Sequence, residues 1–266
     1  MTWNPQRYLE FADLRARPAV DLLARVPAQA PRTVVDLGCG AGNVTALLAE
    51  RWPGAAIVGI DTSRTMLDKA RDALAGNAQV RFEERDLAAW RADPPVDVVY
   101  SNAALHWLDD HARLFAQLPH ALAPGGTLAV QMPNNFGTPS HASVASIAQS
   151  ERWRARIGDL VRESPVAPPE HYLRWLVPHC ATVDVWETTY LQRLAPRADG
   201  EHPVVAFVSG TWLVPYFERL ADDPPSREAF LREYRERIAR AFPAESDGAT
   251  LFPFRRLFIV ATTATR

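Results

Sequence analysis

The stretch VVDLGCGAGN, Val34 to Asn43, constrains the fold of this chain more than any other. A β-branched pair runs into an acid, glycine alternates at Gly38, Gly40 and Gly42, and VTALLAERW continues with helical spacing. The pattern predicts a strand, a tight turn and a helix. Glycine suits such a turn because it reaches positive φ without steric cost. A backbone without Cβ also lets a ligand lie against it at the positive end of the helix.

Nicotinamide, flavin and S-adenosylmethionine (SAM) proteins all use a turn of this kind, and spacing separates them. A dinucleotide fingerprint starting at Gly38 needs a third glycine at position 43, where Asn43 stands. Asp36, at the end of the strand, repels a pyrophosphate and favours the ammonium and sulfonium of SAM. The expected cofactor is therefore SAM. The competing reading is a glycine turn that only joins strand to helix.

From Thr33 the chain alternates strands with amphipathic stretches. TVVDL, AAIVGID, VRFEERD, VDVVYSNA and TLAVQMP read as strands, with VTALLAERW, TMLDKARDAL and HARLFAQLPHAL between them and a Pro124-Gly125-Gly126 turn before the fifth. TVDVWETTYLQ and FRRLFIVATT add two more strands later in the chain. This order predicts an α/β fold with a Rossmann-like, doubly wound, mostly parallel seven-stranded sheet, whose ligand lies outside the carboxyl ends of the strands. With 47% hydrophobic residues, the 266-residue chain can build one large domain over 1–266. Residues 1–30 read as an amino-terminal arm and helix, PAVDLLARV starting at Pro18, either packed on the surface or closing over the ligand. The stretches 134–180 and 193–254 read as helical cap insertions, with REAFLREYRERIARAF the clearest amphipathic run.

Composition removes several function classes. The net charge is -2, with no lysine or arginine run, so a phosphate-tracking surface and a nucleic-acid partner are not expected. The two cysteines, Cys39 and Cys180, form no CxxC pair, and the start MTWNPQRYLEF lacks a basic region followed by an apolar core. No run approaches the roughly 18 apolar residues of a membrane helix. A soluble, cytoplasmic protein is expected. The seven histidines show no metal-ligand spacing with acids, so no metal is expected.

Candidate site residues cluster at predicted strand ends. Asp61 ends the second strand, where a carboxylate can take both ribose hydroxyls of an adenosine or cap the next helix. Asn43 and Thr62 stand beside these positions, and Met66 offers its thioether to the adenine face or to the core. Asp86 follows the third strand and can accept the adenine amino proton while Leu87 offers its backbone N–H. The fourth strand ends in Asn102, with Ala103, Ala104, Leu105, His106 and Trp107 beyond it, where the transferable methyl should point. His106 is either an orienting donor or base for an anionic acceptor, or a histidine packed beside Trp107. No NPPY-like tetrapeptide and no Pro-Cys nucleophile accompany it, which argues against nucleic-acid methylation.

DLGCGAGN, VGIDTS, RDLAAW, SNAALHWL and PGGTLAVQMP resemble the successive motifs of class I SAM-dependent methyltransferases. WNPQRYLEF with RARPAVDLLARVP, NAALHWLDDH, LAVQMPNN, VWETTYLQ and RRLFIVA are similar, along nearly the whole chain, to the trans-aconitate 2-methyltransferase family. The amino-terminal arm and the RLFIVA ending are the specific part; Arg256 is the matching arginine and Arg255 a departure from the family pattern. The resemblance implies methyl transfer from SAM to a carboxylate of trans-aconitate, giving a monomethyl ester and S-adenosylhomocysteine. A tricarboxylate needs counter-charge, for which Arg7, Arg15, Arg17 and Arg256 are candidates, with Trp3, Tyr8, His106 and Trp107 beside them. Methylation of another small carboxylic acid or metabolite, and a SAM-binding regulatory protein without turnover, are the competing readings.

Overall fold

A computed structural model describes residues 16–265. The candidates Trp3, Arg7, Tyr8 and Arg15 lie outside the described residues.

Seven strands form one sheet in the order β3-β2-β1-β4-β5-β7-β6. They are β1 (Thr33–Leu37), β2 (Ala56–Asp61), β3 (Val80–Glu84), β4 (Val96–Asn102), β5 (Leu122–Pro133), β6 (Thr182–Leu194) and β7 (Thr250–Thr262). The pairs β1–β2, β2–β3, β1–β4 and β4–β5 are parallel, and β7 runs antiparallel to β5. The expected doubly wound, mostly parallel sheet is what the chain adopts. Its order reverses between β1 and β4, so the crevice for a ligand opens at their carboxyl ends.

Helices alternate with the parallel strands: α1 (Arg17–Arg25), α2 (Asn43–Arg51), α3 (Arg64–Ala73) and α4 (His111–Gln117). Pro18 starts α1, and Val20, Leu22 and Leu23 bury its apolar side. The Tyr100 hydroxyl donates to the Ala19 carbonyl at 2.6 Å, tying α1 to β4. Three boundaries differ from the expected ones. The run His111–Leu122 is not one helix, because Pro119 lacks the N–H that would continue it, and Leu118–Ala121 tightens to a 3₁₀ turn. The Pro124-Gly125-Gly126 turn sits inside β5, as a register shift between Val96–Leu122 and Val98–Thr127, with Gly125 at φ +74°. β7 begins at Thr250 rather than Phe254, its first residues masked as a strand by Pro253.

The chain divides into two compact units. One takes in residues 16–133, Pro165–Thr188 and 256–265, with α7 (Pro169–Leu176) among its helices once α5 (Pro139–Ala148) and α6 (Arg154–Ile157) have passed. The other comprises Asn134–Ser164 and Thr189–Arg255. These limits differ from the expected inserts at 134–180 and 193–254, because Tyr172 and Leu176 of α7 are buried in the sheet-bearing unit. The second unit has its own core. There α5 and α6 join α8 (Pro203–Ser209), α9 (Val214–Arg219) and α10 (Pro224–Ala241) around Trp153, Phe230 and Tyr234. Phe230 stacks on Tyr216 at 5.6 Å and meets Trp153 edge-on at 5.9 Å.

Candidate active site

The turn after β1 takes the conformation its glycines predict. Gly38, Gly40 and Gly42 stand at φ +79°, +53° and +83°. A methyl on Gly38 would lie 2.1 Å from the Cβ of Ala104, so this glycine lets the end of β4 approach the turn. Around Gly40 no atom of the described residues, its chain neighbours aside, comes within 4 Å of such a methyl, which leaves an open cradle beside the start of α2.

The N–H groups of the turn are largely used within the chain. Gly38 and Cys39 donate to the Ile60 carbonyl at 2.7 and 3.0 Å, Gly42 donates to Cys39, and Gly40 donates to Asp61 Oδ2 at 2.9 Å. A phosphate-binding loop works by aiming free N–H groups at the anion. This turn offers shape and a neighbouring carboxylate instead, and therefore fits an uncharged nucleoside with a cationic tail. Asp61 itself is braced at both oxygens, by Gly40 N–H and by Ser63 N–H at 2.8 Å. A carboxylate has about four lone-pair sites, so capacity to accept ribose hydroxyls remains. The cap of α3 is Ser63, whose Oγ accepts from Met66 N–H, rather than Asp61.

Asp36 lies near the carboxyl end of β1, as expected, but in the interior. It is 1% exposed and accepts the Thr45 hydroxyl at 2.7 Å, so it supports the turn from beneath rather than meeting a ligand at the surface. Burial raises its carboxyl to about 7, opposed by the Thr45 hydrogen bond and reinforced by the charge of Asp61. Asn43 opens α2, Thr62 is exposed, and Met66 is 41% exposed because Leu67 takes the core position. Asp86 is also exposed, accepting Ala88 N–H at 3.0 Å, while Leu87 is buried against the glycine turn. Asp86 borders a groove of about 410 Å³ that also touches Arg91, Leu108, Asp109 and Arg113.

At the end of β4 the backbone is strained. Ala103 adopts φ +54° and donates its N–H to the Gln131 carbonyl at 2.9 Å. The 3₁₀ turn Leu105–Trp107 follows, with His106 packed against Trp107 at 4.7 Å between ring centroids and Trp107 51% exposed. A buried relay holds this turn. His111 Nε2–H donates to the Leu105 carbonyl at 3.0 Å, Tyr172 OH donates to His111 Nδ1 at 2.6 Å, and Ala167 N–H donates to Tyr172 OH at 3.0 Å. Burial keeps His111 below the usual histidine range, so it is neutral and the tautomer follows from its partners. Neither His111 nor Tyr172 stands out in the sequence, because 61 residues separate them.

Arg256 is 5% exposed, and its Nη1 donates to Gln131 Oε1 at 3.2 Å. By contrast Arg17 is exposed and lies 3.9 Å from Asp21, one turn along α1. Arg255 bonds Asn134 and Asn135, its Nε donating to the Asn134 carbonyl. The buried Asn102 Oδ1 has no hydrogen-bond partner among the described residues, an acceptor left for a donor from outside. The glycine cradle, Asp61, Asn102 and Arg256 thus lie at carboxyl ends of β1, β2 and β4 and beside that of β5, in one unit. Among the described residues no group of three or more acidic, histidine or cysteine side chains could hold a metal ion, and no helix is long and apolar enough to cross a membrane.

A methyltransferase domain family matches residues 34–126. The trans-aconitate 2-methyltransferase of Streptomyces coelicolor is 47% identical over 267 residues, covering 98% of this chain and 86% of the relative. That of an Azoarcus species is 46% identical, with 98% of each chain covered. Among solved structures, a phosphoethanolamine N-methyltransferase of Haemonchus contortus, in complex with S-adenosylhomocysteine, superposes with a TM-score of 0.54 at 17% identity. It covers 94% of this chain, which spans 52% of that larger protein. The YcgJ protein of Bacillus subtilis superposes with a TM-score of 0.58 at 15% identity, over 93% of this chain and 98% of the other. These two likenesses concern the fold.

Proposed function

The chain belongs to the trans-aconitate 2-methyltransferase family, and from that premise we propose that it carries the SAM methyl group to a carboxylate of trans-aconitate, giving a monomethyl ester and S-adenosylhomocysteine. It is a SAM-dependent methyltransferase. The observation that carries the substrate is identity of 47% over 98% of this chain.

The residues present fit the cofactor. Gly38, Gly40 and Gly42 would take its backbone-facing side, Asp61 its ribose hydroxyls, and Asn102 Oδ1 a hydrogen-bond donor such as its ammonium. Asp86 and the Leu87 N–H would serve the adenine edge, with Asn43, Thr62 and Met66 around them and Asp36 fixing the turn below. Bound there, SAM supplies a methyl carbon made electrophilic by a sulfonium, whose departing C–S electrons stay with sulfur.

The protein's task on the acceptor side is placement. A carboxylic acid with a pKa near 4 is already an anion at neutral pH, so no side chain has to remove a proton. His106 therefore orients the acid and is not an obligatory base. Alignment of two reactants is worth roughly 7 to 11 kcal/mol, against a few for acid–base assistance of about 10²- to 10⁴-fold. Arg256 supplies positive charge to a substrate that would otherwise be buried without a counter-ion. Trp3, Arg7, Tyr8 and Arg15 of the arm, and Trp107 beside His106, complete the proposed acid site. Because anion and sulfonium both become neutral, removal of water from the reacting pair favours the transfer.

Incubation with methyl-labelled SAM and a panel of di- and tricarboxylic acids tests the reading. Label is expected in an ester of trans-aconitate. Binding of S-adenosylhomocysteine with no label in any acid would overturn it.

A further inference from the structure

Gln131 is fully buried in β5, amid Leu128, Ala129, Val130 and Met132. An amide in such a run needs partners for both of its ends. One end has its partner, since Oε1 accepts from Arg256 Nη1 at 3.2 Å. That contact also fixes which way the amide points, because a flipped amide would set N–H against N–H. The other end, Nε2, is buried with no hydrogen-bond partner among the described residues.

The position of Gln131 gives this orphaned donor a meaning. Asn102 is its register partner on β4, and Arg256 pairs with Pro133, two residues further along β5. Residues paired in register or two apart on a strand point to the same side, so Asn102, Gln131 and Arg256 share one face at the end of the sheet. All three belong to one compact unit. A guanidinium and an amide N–H₂ side by side make a receptor for an anion with two acceptor oxygens. The neighbouring Asn102 Oδ1 would repel that anion and suits a donor instead.

We propose that Gln131 is a substrate-binding residue, its Oε1 holding Arg256 and its Nε2 donating to a carboxylate of the acid that is not the one methylated. This rests on the carboxyl transfer reading above. The carboxylate that becomes an ester loses its charge in the step. Contacts from a guanidinium and an amide to that group would stabilise the reactant more than the transition state and slow the reaction. On a neighbouring carboxylate, whose charge persists, the same contacts bind the substrate without that penalty. The pair therefore selects acids that carry at least two carboxylates.

The test is calorimetric titration of trans-aconitate into wild type, Gln131→Met and Gln131→Glu, each saturated with S-adenosylhomocysteine, after titration of that nucleoside alone. The nucleoside Kd is expected to stay within about twofold in all three. The trans-aconitate Kd is expected to rise about tenfold or more in Gln131→Met, which removes the donor and the anchor of Arg256. Gln131→Glu keeps the shape and still holds Arg256, so it serves should the methionine variant not fold. It sets a second anion against the substrate and is expected to weaken binding at least as much. A merely structural role would shift nucleoside and acid affinities together. Acid affinity within about twofold of wild type in both variants would overturn the assignment and leave the transfer reading standing. A wild type that binds the nucleoside but no acid would overturn the transfer reading itself.

Discussion

Ala104 stands so close to the glycine turn that Gly38 and Gly40 should respond differently to the same substitution. Gly38→Ala sets a methyl 2.1 Å from the Ala104 Cβ at a left-handed φ, and is expected to cost about 3 kcal/mol of stability. Gly40→Ala meets nothing among the described residues and is expected to cost about 1 kcal/mol, while weakening S-adenosylhomocysteine about tenfold or more. Urea denaturation and calorimetry on both variants check this; equal stability losses would contradict the assignment of Gly40 to the ligand. Asp36 supplies a pH test. The unfolded chain ionises it near pH 4, whereas burial holds the folded group to about 7, so between these values the folded chain binds the extra proton and loses stability as pH rises. Asp36→Asn removes that loss, and its stability relative to wild type is expected to improve from about pH 4 to about pH 7. A constant difference across that window would show that Asp36 ionises alike in both states.

At the scale of elements, the sheet was legible because β-branched runs ending in an acid or a polar pair recur between amphipathic stretches. The glycine turn was legible because positive φ demands a particular residue type. What the sequence hid was long-range. The relay from Ala167 through Tyr172 to His111 and Leu105 joins α7, α4 and the 3₁₀ turn, and no local spacing announces it. Gln131 was hidden for a different reason, since one amide in an apolar strand looks like a tolerated substitution until its partners are placed. The type and strand position of Asp36 tell its place at the end of β1 but not its depth, and burial changes its ionisation. Tyr172→Phe leaves the Ala167 N–H and His111 Nδ1 unpaired in the interior and is expected to cost about 1 to 3 kcal/mol in a denaturant titration. A change below about 0.5 kcal/mol, the range of ordinary surface substitutions, would show that the relay does not hold the turn.

At the scale of the whole molecule, a chain of net charge -2 must attract a polyanion through local charge alone. The approach of a free polyanion through solvent toward such charge weakens with salt, because the screening length falls from about 10 Å at 0.1 M to about 3 Å at 1 M. The KM for trans-aconitate is expected to rise with ionic strength while the Kd of S-adenosylhomocysteine changes little, and parallel changes would argue against a charged acid site distinct from the nucleoside site. The central claim concerns the bond formed. With SAM carrying a ¹³C methyl group, trans-aconitate and enzyme, NMR is expected to show a methyl ester resonance that grows with S-adenosylhomocysteine and yields one equivalent of methanol on alkaline hydrolysis. Turnover of SAM with the label in an alkali-stable product, or none in the acid, would contradict the account.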